Sequence, residues 1–182
     1  MGDTEKIFDA LLVLQYQSGN KQALSLLVNR YHLKLCKHAF WYTQDLHAAR
    51  DIAQDSWSII LNKIGSLRDP NLFGSWALRI VTRKSLDYLN KSKREREHLK
   101  TVKYEKQLED LDSRASDLER LKVAMKILPE HQKQVLRLFY TEQYSLKEIG
   151  QILEIATGTV KSRLFHAREK LKTILTNRNY EE

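Results

Sequence analysis

The sequence predicts an all-α protein: two small helical domains joined by a charged linker, the second ending in a helix-turn-helix. Three observations predict it. Apolar residues recur at three- and four-residue spacing along most of the 182 residues, and few strand-like alternations appear. Chain breakers are scarce, with two Pro and six Gly. A run of charged and polar residues separates the two apolar stretches, placing the domains at 1–92 and 118–178 with a linker at 93–117.

In the first domain, the spacing predicts a helix over Glu5–Gln17, stopped by Ser18-Gly19-Asn20. A longer helix follows over Gln22–Thr43, with Leu24, Leu27, Val28, Tyr31, Leu35 and Ala39 turned inward. Asp45 is suited to cap a third helix reaching about Ile64, in which Ala49, Ile52, Ala53, Trp57, Ile60, Leu61 and Ile64 face the core. Its other side carries Asp51 and Asp55, one turn apart, with Gln54 beside them. RDPNLFG, Arg68 to Gly74, reads as a loop from its Asp-Pro pair and Gly. Ser75 is expected to cap a fourth helix continuing to about Asn90, with Leu78, Val81, Ser85 and Leu89 on one stripe. Trp76, Arg79, Arg83 and Asp87 lie roughly opposite, with Lys84 beside them. Four helices of this length can enclose one core.

The run KSKREREHLKTVKYEKQLEDLDSRASD, basic early and acidic later, buries too little to fold by itself. Beyond it come Leu121, Ala124, Met125, Ile127 and Leu128, after which Pro129 opens a helix where a missing amide costs nothing. That helix sends Val135, Leu136, Leu138 and Phe139 inward. The most informative stretch is YSLKEIGQILEIATGTVKSRLFHAREKL, Tyr144 to Leu171. Ser145 and Glu148 form a capping box in front of a first short helix lined by Leu146, Ile149, Ile152 and Leu153. Thr157 is expected to cap a second helix, in which Val160, Leu164, Ala167 and Leu171 recur as a buried stripe. Thr159, Lys161, Ser162, Phe165, His166 and Glu169 remain outward, flanked by Arg163 and Arg168. A helix with apolar backing and a polar, basic front fits the major groove of DNA. The competing reading of the same residues is a solvated basic helix on an ordinary bundle.

Composition sets bounds on function. Lys and Arg total 31 against 23 Asp and Glu, a formal charge of +8, which favours a polyanionic partner but does not separate nucleic acid from an anionic membrane. No apolar run is long enough to span a bilayer and no secretory pattern is present, so a soluble, cytoplasmic protein without stable membrane insertion is expected. The single Cys36 excludes an internal disulfide and sits in helical surroundings that suit a core thiol. No metal-ligand spacing, phosphate loop or nucleophile arrangement appears. No catalytic residue, metal or cofactor is therefore expected.

These residues resemble the extracytoplasmic-function (ECF) group of bacterial RNA polymerase sigma factors, in the sigma-70 family. Gly158 to Leu164, GTVKSRL, followed by Ala167-Arg168 and Lys170-Leu171, is similar to the family's region four. Ala49, Asp51, Ile52, Gln54, Asp55 and Trp57, then Trp76, Ile80 and Asp87-Tyr88-Leu89, resemble region two. The resemblance implies a non-catalytic, dissociable subunit that directs core RNA polymerase to promoter DNA, duplex and melted. Region two would grip polymerase and open and read the minus-ten element; region four would read the minus-thirty-five element. It also implies an antagonist, an anti-sigma factor, that holds the protein off.

Residue by residue, the resemblance assigns Asp51, Gln54 and Asp55 to polymerase. It assigns Asn71, Phe73, Trp76, Arg79, Arg83 and Lys84 to the minus-ten element, where an aromatic among cations suits unpaired bases. For Trp76, packing against Phe73 is an equal alternative. Thr157, Thr159, Lys161, Ser162, Arg163, Phe165, His166 and Arg168 fall to the minus-thirty-five reader. Three positions depart from the family pattern. Arg83 replaces a frequent Asn, Glu154 a frequent turn Gly, and His166 a usual Arg. Two other readings of the chain compete. A polymerase-independent helix-turn-helix regulator would bind duplex operators alone, usually as a dimer. A nucleic-acid enzyme would need clustered carboxylates or a metal, for which Asp51 and Asp55 are the sole candidate pair.

Overall fold

Helices with no strand among the described residues make up a computed structural model of the chain, which describes residues 3–97 and 117–176. They divide into two compact units.

In the first unit, α1 spans Asp3–Gln17, α2 Lys21–Thr43, α3 Leu46–Lys63 and α4 Phe73–Glu97. Gly19, at φ +102°, makes the turn between α1 and α2, and the Asn20 side chain then accepts from the Gln22 amide at 3.0 Å to cap α2. Gln44 ends α2 in the left-handed region, its side-chain amide donating to the Trp41 carbonyl at 2.8 Å. Asp45 caps α3 as expected, accepting from His47 and Ala48. Leu12, Val13, Leu27, Tyr31, Leu35, Ala49, Ala53, Ile60, Ile64, Leu78 and Val81 form the core. Leu61, expected inside, is instead exposed: the inward stripe of α3 runs through Trp57, Ile60 and Ile64, and Leu61 falls beside it.

The core also holds polar groups. Buried Asp9 accepts from Tyr31 Oη at 2.6 Å and from Arg30 Nε at 2.7 Å, tying α1 to α2. His38 Nε2 and Thr82 Oγ1 lie 2.8 Å apart between α2 and α4.

Two expectations for α4 are corrected. The helix starts at Phe73, after a 3-10 turn over Pro70–Leu72 that is capped by Asp69. Ser75 therefore sits inside the helix, its hydroxyl donating to the Leu72 carbonyl at 3.0 Å. At the other end, α4 runs through Glu97 rather than stopping near Asn90, so the first residues of the expected linker are helical. Residues 98–116 of that linker lie outside the described residues.

In the second unit, α5 spans Asp117–Ile127 and α6 Glu130–Leu136, opened by Pro129, whose carbonyl accepts the first helical bonds from Gln132 and Lys133. A π turn over Arg137–Thr141 continues α6, its amides reaching back one residue further than in an α-helix, as Glu142 N to Arg137 O at 3.0 Å. α7 spans Leu146–Leu153 and α8 Thr157–Thr176. Ala124, Leu128, Val135, Leu138, Ile149, Val160, Leu164 and Ala167 make the core.

Candidate functional site

The helix-turn-helix is set by its caps and its turn. The Ser145 amide donates to Glu148 Oε2 at 2.8 Å, and the Glu148 amide donates back to Ser145 Oγ at 3.3 Å. The reciprocal pair satisfies two otherwise orphaned donors at the start of α7. The turn then has two requirements. Glu154 adopts φ 55°, the left-handed conformation that favours Gly. Gly150 must lack a side chain, because a Cβ there would lie 2.9 Å from the Ile155 carbonyl oxygen. Thr157 does not serve as the cap: α8 begins with Thr157 itself, and the Ala156 carbonyl takes the first helical bond, from Val160 at 3.1 Å.

On α8 the expected division of faces holds except at Leu171, which is half-buried rather than buried. Val160, Leu164 and Ala167 are buried, and Thr157, Thr159, Lys161, Ser162, Phe165 and His166 are exposed. Arg163, expected at the flank of that face, is half-buried. Arg168 is exposed but not loose: its guanidinium carbon lies 5.6 Å from the Phe139 ring centre and 5.5 Å from that of Tyr140. Phe139, expected in the core, is only half-buried, and Tyr140 is not singled out by the sequence, since a π turn has no residue signature that would forecast where it aims side chains.

In the first unit, Asp51, Gln54 and Asp55 are exposed together on α3. Asp55 Oδ2 receives Lys84 Nζ at 3.4 Å, a loose surface pair joining α3 to α4. Between these helices runs a groove of about 520 Å³ whose lining includes Ile59 and Lys63 of α3 with Trp76, Arg79, Arg83 and Lys84 of α4. Flat apolar surface, four cationic side chains and the single carboxylate of Asp87 share this groove, and Lys63 joins a set of cations the sequence drew from α4 alone. Trp76 is half-buried, with its ring 6.1 Å from that of Phe73, so it both packs and lines the groove.

Phe73 is corrected. It is fully buried rather than on the surface, edge-on to Tyr31 at 5.0 Å, and supports the loop from beneath. Asn71 is exposed, its backbone and side-chain amides both donating to Asp69 Oδ1 at 3.1 Å. Gln17 fixes the segment just before, donating to the carbonyls of Ile64 and Leu67. Cys36 is buried, and burial pushes its thiol pKa up, against a smaller lowering by Arg50, so little thiolate forms near neutrality. Among the described residues, no group of His, Cys, Asp and Glu could hold a metal, and no helix is long and apolar enough to cross a membrane.

Residues 27–95 match the family pattern described as Sigma-70 region 2, and residues 124–173 match Sigma-70, region 4. The chain is 30% identical to an ECF RNA polymerase sigma-E factor of Haemophilus influenzae, over 92% of this chain and 95% of that one. It is 31% identical to the RNA polymerase sigma factor SigV of Bacillus subtilis, over 76% and 82%. Among solved structures, the sigma factor RpoE in complex with the anti-sigma factor NepR, from Bartonella quintana, is similar in fold. The TM-score is 0.65 at 22% identity, covering 87% of this chain and 98% of that one. CnrH in complex with the cytosolic domain of CnrY gives 0.63 at 21%, covering 92% and 97%.

Proposed function

The chain belongs to the ECF group of sigma-70-type RNA polymerase sigma factors, which direct transcription initiation, and on that premise we propose how its two units divide the work. The exposed Asp51, Gln54 and Asp55 face of α3 docks on core polymerase. The groove between α3 and α4 takes the melted minus-ten strand, with Trp76 as stacking surface and Lys63, Arg79, Arg83 and Lys84 following the phosphates. The Lys161, Ser162, Phe165 and His166 face of α8 reads the minus-thirty-five element in the major groove. Neither unit performs chemistry, and the protein acts in the cytoplasm. An anti-sigma factor, as in the solved complexes, restrains it.

This division rests on surface chemistry. An acidic face on a protein of charge +8 is poorly matched to DNA, while the groove beside it and the α8 face are cationic and aromatic. A polymerase-independent regulator has no use for the first two surfaces. Purified protein, core polymerase from a matching source and a pool of genomic promoter fragments test the reading. Start sites should appear only with both proteins present, and the combined Asp51→Lys and Asp55→Lys changes should weaken core binding at least tenfold. Duplex binding by the free protein with no association to core would overturn it.

A further inference from the structure

We propose that Phe139 and Tyr140 are positioning residues that hold Arg168 edge-outward as a phosphate contact for α8; this rests on the reading of α8 as the duplex reader. Four observations meet at this point of the second unit. The π turn Arg137–Thr141 departs from the α ladder, and such departures occur frequently at functional sites. It is braced by Arg137 Nη2 donating to Glu142 Oε1 at 3.1 Å, with both side chains mostly buried. The turn presents the Phe139 and Tyr140 rings edge to face, 5.0 Å apart at 84°. Both ring centres lie within cation–π distance of Arg168.

Tyr140 is 57% exposed, so its ring contributes little to the core, and it rests against Phe139 and Arg168. Among the described residues, the Arg168 guanidinium has no carboxylate partner. A guanidinium whose face is taken by aromatic rings keeps its N–H donors in the plane, pointing outward. That fork matches a phosphate and cannot be reproduced by a flexible ammonium. Lys161 and Phe165 precede Arg168 by seven and three residues and share its side of α8. A DNA backbone passing that face would meet Arg168 already oriented, with less side-chain freedom to lose on binding. The ring of Tyr140, not its hydroxyl, is the working part.

Full-length protein assembled with core polymerase is titrated with a promoter duplex recovered from the transcription assay, across about 50 to 200 mM salt. Tyr140→Ala and Arg168→Gln should each weaken binding about three- to tenfold and lower the salt slope by about one. The double variant should be no worse than the poorer single one. Tyr140→Phe should bind as the parent does. Unchanged affinity and slope in Arg168→Gln, or fully additive losses in the double variant, would overturn the proposal. If Tyr140→Ala does not fold, Arg168→Gln against Tyr140→Phe still decides it, since loss on removing only the hydroxyl contradicts a ring-based device. Lys161→Ala separates the two levels. If it weakens binding while the Arg168 variants do not, the clamp alone is wrong; if all are silent, the reading of α8 is wrong.

Discussion

His38 and Thr82 meet at 2.8 Å in the interior of the first unit, joining α2 to the helix that carries Trp76 and Arg83. Both are almost completely buried, at 1% and 3% exposure, so the bond forms away from competing water. Replacing Thr82 by Val keeps the shape and removes the hydroxyl. Chemical denaturation of the full chain should show a loss of about 1–2 kcal/mol. An unchanged midpoint would mean the imidazole finds an equivalent partner.

Asp9 should matter more. Its carboxylate takes Tyr31 Oη and Arg30 Nε at once, with only 3% of its side chain exposed. Asp9→Ala leaves a buried hydroxyl and a guanidinium short of their acceptor. The expected destabilisation is about 2–3 kcal/mol, below the range for a fully buried ion pair because Arg30 is one-third exposed. The same denaturation measurement checks it, and Asp9→Asn should cost less by keeping an acceptor for Tyr31.

The turn between α7 and α8 predicts two opposite effects. Gly150→Ala drives a methyl to 2.9 Å from the Ile155 carbonyl oxygen and should destabilise by about 1–3 kcal/mol. Glu154→Gly relieves a left-handed backbone at φ 55° and should stabilise by about 1 kcal/mol. Melting temperatures of the two variants should therefore move in opposite directions from the parent.

His166 is exposed on the α8 face. If that face meets duplex DNA, His166→Arg adds a permanent charge and should tighten promoter binding by the holoenzyme several-fold while steepening its salt dependence. Affinity measured at two salt concentrations is enough to decide, and a flat response removes His166 from the interface.

Much of the fold was legible in the sequence because local chemistry decides it. The Asp45 cap and the Ser145–Glu148 box are three-residue events, and both form where their residues stand. The buried stripe of α8 followed from periodicity at Val160, Leu164 and Ala167. Where the expectation failed, distant packing had overridden local pattern. Phe73 reads as a loop aromatic until Tyr31 of α2 packs against it. Ser75 has the right chemistry for a cap, but Asp69 and Pro70 start the coil earlier. The Asp9 triad and the rings around Arg168 depend on residues 20 or more positions apart, which no local window joins.

The π turn gives the chain length between Leu136 and Tyr144 a meaning of its own. Each residue of an α-helix advances the side chains by about 100°, so a helix carrying one extra residue is set to a definite angular phase relative to the next helix. Deleting an exposed residue of Arg137–Thr141, such as Tyr140 or Thr141, would restore an ordinary ladder and rotate Val135 and Leu136 out of register with α8, although no buried side chain is lost. In this segment the count of residues is as firmly specified as their identity, and an alignment gap there marks a differently dialled helix rather than a shortened loop.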